Sequence, residues 1–70
     1  MRYFALEEIH NRDNGEWISH NLRLGGYSYL SRAIAAIRRH AQNGRVLNEH
    51  RQIVVLLQEG RVTYPTHNGT

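Results

Sequence analysis

Seventy residues without cysteine describe one small domain held by packing alone, because neither a disulfide nor a thiolate metal site can be built. All nine basic residues are arginine, against six acidic ones, for a formal charge of +3; guanidinium forks suit carboxylate or phosphate partners. So short a chain has no room for a deep cleft, which sets surface binding ahead of catalysis. The longest apolar run, residues 53–57, cannot span a bilayer, and Glu7-Glu8 interrupts any secretory signal, so a cytoplasmic protein without a membrane partner is expected.

Residues 2–10 alternate Arg2, Phe4, Leu6, Glu8 and His10 against Tyr3, Ala5, Glu7 and Ile9. Residues 16–24 set Ile18, His20, Leu22 and Leu24 against Trp17, Ser19, Asn21 and Arg23. This alternation on both sides of Asn11-Arg12-Asp13-Asn14-Gly15 predicts a β-hairpin. A two-residue Asn14-Gly15 loop would oppose Leu6 to Arg23, whereas a three-residue Asp13-Asn14-Gly15 loop opposes Leu6 to Leu22 and Phe4 to Leu24. The second keeps the apolar sets on one face and is the expected register. It places Glu8 beside His20, with His10 and His20 on the same face.

After the Gly25-Gly26 turn, Leu30, Ala33, Ile34, Ile37 and Ala41 follow helical spacing and form one stripe. Ser28 is the expected N-cap, and Gly44, in the left-handed conformation, the expected stop. The helix should lie over Phe4, Leu6, Leu22 and Leu24. Residues 45–51 are ambiguous, with Val46 and Leu47 suggesting a brief strand and the charges after them a loop, and read mostly as loop. Residues 52–58, apolar on both faces and rich in β-branched side chains, form the strongest strand and an interior one. Glu59-Gly60 turns it into a partner strand over residues 61–64, which Pro65 stops. The expected architecture is α+β, ββαββ, an antiparallel sheet of two hairpins with one helix packed on one face. Residues 1–64 make the domain and 65–70 a polar tail, in which Asn68-Gly69-Thr70 is a chance match to a glycosylation acceptor.

The sheet face away from the helix would then carry Tyr3, Ala5, Ile9, Trp17 and one side of the 53–57 strand. Residues 45–51, the tail or a homodimer should cover it.

No constellation for chemistry emerges. His10, His20 and Glu8 lack a third strong ligand, so no metal is expected. Ser19, Ser28 and Ser31 have no histidine at a meaningful spacing, Glu7 and Glu8 point to opposite faces, and Gly25-Gly26 lacks the lysine of a P-loop. We therefore expect no enzyme and no cofactor. The pattern that suggests a function is the outer face of the helix, where Arg32, Arg38, Arg39 and Gln42 stand among Ala35 and Ala36 with no acidic residue between them. Arg45 and Arg51 should extend this patch, with Tyr3 and Trp17 as aromatic contacts on the open sheet face.

A hairpin over residues 3–24, an alanine-rich basic helix over 28–43 and a hairpin over 53–64 resemble the layout of small phage or prophage proteins, including some type I anti-CRISPR proteins. The resemblance covers most of the chain and contains no diagnostic motif. It implies a non-catalytic protein that docks on a host protein or protein–nucleic acid complex and blocks it. The alternative from the residues themselves is DNA or RNA binding through the arginine face.

Overall fold

A computed structural model describes residues 1–65. Five strands and one helix follow one another as β1 (Tyr3–His10), β2 (Trp17–Asn21), α1 (Leu30–His40), β3 (Gly44–Asn48), β4 (Ile53–Gln58) and β5 (Arg61–Thr63). The strands form one sheet in the order β2-β1-β3-β4-β5, antiparallel throughout. The class is α+β, as expected, but the order is ββαβββ. The segment expected to be mostly loop supplies β3, the central strand. Val46 decides this: it lies opposite both Ala5 and Val55 and is fully buried between them. With one buried apolar residue the strand has no readable period of its own, and its hydrogen bonds come from joining two hairpins that would otherwise each carry an extra bare edge.

The first hairpin closes on a longer loop than expected. Asn11 donates its backbone N–H to the Glu16 carbonyl at 2.7 Å, and its own carbonyl accepts from Gly15 at 2.8 Å. The side-chain oxygens of Asn11 and Asn14 accept from the backbone of Asp13 and Glu16 at 2.9 and 3.0 Å. Gly15 takes the left-handed conformation at φ 76°. The two amides satisfy loop N–H groups that a three-residue turn would leave to water. The register slips by one residue as a result, pairing Leu6 with Asn21 and His10 with Trp17.

That slip reverses the expected face of β1. Tyr3, Ala5, Glu7 and Ile9 share a side with Ile18, His20 and Leu22, and the helix covers this side. Ala5, Ala33, Ile37, Ala41, Val46, Val55 and Leu57 make the core, with Tyr3, Leu22, Leu30 and Ile34 packed against it. Phe4 and Leu6 face the other way, and Leu24, expected under the helix, is 87% exposed. Small side chains at Ala5 and Ala33 allow the close approach of helix and sheet that larger residues would prevent.

The helix stripe is the expected one, whereas both caps differ. Tyr29 occupies the N-cap position with extended backbone and no side-chain cap, and the Ser28 hydroxyl accepts instead from the Arg2 guanidinium at 3.3 Å. At the other end the chain turns extended at Ala41, whose N–H donates to the Ile37 carbonyl at 3.0 Å. Arg38, Arg39 and His40 in the last turn complement the helix dipole. Gly44 belongs to β3 and is required by proximity: a Cβ there would press on the Leu6 carbonyl oxygen and lie 2.8 Å from Ile37 Cδ1. Strand β4 is interior, as expected, and β5 ends at Thr63, ahead of Pro65. His67 and the Asn68-Gly69-Thr70 pattern lie outside the described residues.

Candidate docking surfaces

The structure divides the arginines of the expected patch. Arg32 and Arg39 line one cleft of about 500 Å³ along the outer face of α1, together with Arg23, Tyr27, Ser31 and His40. Arg23 and Arg32 also line an adjoining hollow of about 200 Å³ with Arg2, Tyr27 and Tyr29. A continuous belt of Arg2, Arg23, Arg32 and Arg39 therefore runs past two tyrosines. The Arg23 guanidinium lies over the Tyr27 ring, 5.5 Å from its centre. Among the described residues no carboxylate lines either hollow.

Local backbone chemistry assembles this belt. Gly26 turns the chain at φ 72°, a conformation that glycine adopts without steric cost, and a Cβ there would meet the Phe4 ring at 2.8 Å and the Tyr3 carbonyl at 2.9 Å. The turn returns Tyr27 to Tyr3, with N–H to carbonyl bonds in both directions at 2.7 and 2.8 Å. Arg2 and Arg23, at the two ends of the first hairpin, thereby reach the start of the helix. Sequence reasoning missed Arg2, Arg23, Tyr27 and Tyr29. No spacing along the chain links Arg2 to Arg32; the Tyr3–Tyr27 bridge and the Arg2–Ser28 hydrogen bond bring them together.

The other expected contacts lie elsewhere. Arg38 lies toward the other flank of the helix, in a hollow that mixes both signs of charge, with Glu7, Glu8, His10 and His40, and that Arg39 also lines. Arg45 does not extend the helix patch: it stands on the far side of the sheet, paired with Glu8, which also accepts from the Ser19 hydroxyl at 3.1 Å. Arg51 does not extend it either, sitting at the turn between β3 and β4 with φ 64°. Tyr3 is half-buried on the helix side, so it is not an open-face aromatic, and its hydroxyl lies 3.1 Å from Met1 Sδ. Trp17 is on the open face, 58% exposed, and stacks on His10 at 4.8 Å.

That open face carries Phe4, Leu6, Leu47 and Leu56 around the Glu8–Arg45 pair. Beside the pair, Phe4, Leu6, Leu24 and Leu47 form an apolar hollow of about 370 Å³ with Arg2 and Arg51 at its rim. Residues 45–51 do not fold over this face, since most of them are in the sheet. The expected neighbourhood of Glu8, His10 and His20 also fails: His20 is on the helix side, 3.6 Å from Glu7, while His10 and Glu8 are on the other. Among the described residues no three or more His, Cys, Asp or Glu side chains converge, and no helix is long and apolar enough to cross a membrane. No protein family matches the chain, and comparison with known proteins and with solved structures finds no match.

Proposed function

We propose that the protein is a non-catalytic binding protein that docks its arginine belt on a negatively charged surface of a larger host protein or nucleoprotein assembly and blocks it by occupancy. The observation that carries this reading is the belt itself: four guanidinium groups around two adjoining hollows in whose lining no carboxylate stands among the described residues. Arginine beside tyrosine is a common composition for interface residues that carry binding energy, because each offers apolar area together with hydrogen-bonding groups. The resemblance in layout to phage-type inhibitors read from the sequence implies this mode of action.

Direct nucleic-acid binding is the second reading, and Tyr27 and Tyr29 favour it, since aromatic side chains along a basic groove can stack unpaired bases. Readout by the sheet is not favoured. Tyr3 is covered and Trp17 stands on an outer strand, away from the central positions that strand-mounted base stacking uses.

One pair of substitutions tests both. Arg32→Glu with Arg39→Glu should keep the fold, because both are exposed, and should abolish capture of the partner assembly, since the reversed charges repel a negative surface. Under the docking reading, fluorescence anisotropy with random single-stranded and duplex DNA at physiological salt shows little affinity. Under the second, binding is micromolar and falls with salt, with a log–log slope of about −3 for single strands if four arginines engage phosphate. Full capture by the folded double variant would remove the belt from both readings.

A further inference from the structure

The two edges of the sheet are not alike. Strand β5 has three residues, begins with Arg61 and is followed closely by Pro65, features that discourage further pairing. Strand β2 has five, Trp-Ile-Ser-His-Asn, with no proline, lysine, arginine or carboxylate. Four of the five are exposed, and Trp17, Ile18 and the neighbouring Ile9 are large apolar groups in water.

The hydrogen-bond pattern says which backbone groups point outward. Asn11 donates to Glu16 and Leu22 donates to Ala5. In an antiparallel pair such bonded positions recur every second residue, so Ile18 and His20 face β1, while the N–H and C=O groups of Trp17, Ser19 and Asn21 face away from the sheet.

From this geometry we infer that β2 pairs with β2 of a second copy of the chain, antiparallel and centred on Ser19, making one continuous sheet across the dimer. The strand is self-complementary in that register. Ser19 meets Ser19, and Trp17 meets Asn21 of the second copy in both directions, each pair exchanging two backbone bonds. Ile18 lies opposite His20, so no two like charges face each other. Trp17 of each copy comes beside Asn21 of the other, at the rim of the apolar hollow that Asn21 shares with Phe4 and Leu6. Continuing the register past the strand ends brings the turn holding Asp13 and Glu16 against Arg23 of the second copy, once at each end. The inference rests on the strand edge; of the belt it involves Arg23 alone, at the two ends of the pairing, and leaves Arg32 and Arg39 free.

Sedimentation of the full chain should show a dimer at micromolar concentration. Amide hydrogen exchange should slow at Ser19 and Asn21 as concentration rises, although these groups have no partner among the described residues of one copy. Ser19→Lys and Ser19→Glu each place like charges directly opposite at the centre of symmetry and should weaken association by at least about tenfold. Mixing the two variants should restore a mixed dimer. A monomer throughout the concentration range overturns the inference, as does a dimer that Ser19→Lys leaves unchanged. So does concentration-dependent protection confined to Arg61–Thr63. The exchange measurement on the unaltered chain decides the matter should the variants fold poorly.

Discussion

Gly44→Ala tests how closely the helix end and the two central strands approach one another. The added Cβ would press on the Leu6 carbonyl oxygen and lie 2.8 and 3.2 Å from Cδ1 and Cγ1 of Ile37, a fully buried side chain. Ile37 can yield only by leaving its rotamer in a packed core. The carbonyl can yield only by shifting β1 away from β3, where Leu6 pairs with Arg45 and Glu7 with Gly44. Overpacking of this kind costs roughly 1–3 kcal/mol, and contact with backbone argues for about 3. Replacing glycine also restricts the unfolded chain, which returns about 0.4–1 kcal/mol because the backbone at Gly44 is not left-handed. The expected net loss is therefore about 2 kcal/mol. A domain of this length, at about 0.05–0.15 kcal/mol per residue, holds roughly 3.5–10 kcal/mol in all, so the loss is a large fraction of it. Urea titration should show a lower midpoint with an unchanged slope. Ile37→Val removes Cδ1 but leaves the Leu6 carbonyl in place, so in the double variant it should relieve part of the cost and not all. A Gly44→Ala midpoint equal to or above that of the parent would refute the reasoning, because it would mean that the position has room for a side chain.

Ile37→Ala should cost about 3–5 kcal/mol and Ile34→Ala less, about 2, because Ile37 is fully buried and Ile34 only partly so; denaturant titration that reverses this order would place the stripe differently. The Glu8–Arg45 pair should respond asymmetrically. Arg45→Met leaves a carboxylate whose side chain is only 13% exposed, for a loss of about 1–3 kcal/mol, whereas Glu8→Met leaves a guanidinium that is 39% exposed and should cost less. Changing both to Met should come close to the parent in urea midpoint, because no charge is then stranded.

What the sequence by itself determined are the features whose signal is local and repeated. The Leu30, Ala33, Ile34, Ile37, Ala41 stripe marks the buried side of the helix, the 52–58 run marks an interior strand, and alternation marks the first hairpin. Each rests on a period carried over several residues of one element, so a single wrong neighbour does not erase it. The tertiary structure decided whatever depends on how two elements meet. Two asparagine side chains lengthened the first loop by one residue, and because side chains alternate with period two, that single step moved Phe4 and Leu6 from the core side to the open side. Strand β3 is fixed because β1 and β4 offer it hydrogen bonds on both flanks, whereas its own five residues hint at a strand only through Val46 and Leu47, too short a signal to outweigh the charges after them. The belt has the same origin: Arg2 and Arg32 are thirty positions apart, and the Gly26 turn with the Tyr3–Tyr27 bridge sets them around one hollow. Local periodicity specifies elements; register, closure of loops and the meeting of distant cations are set by interactions that the chain makes only once it is folded.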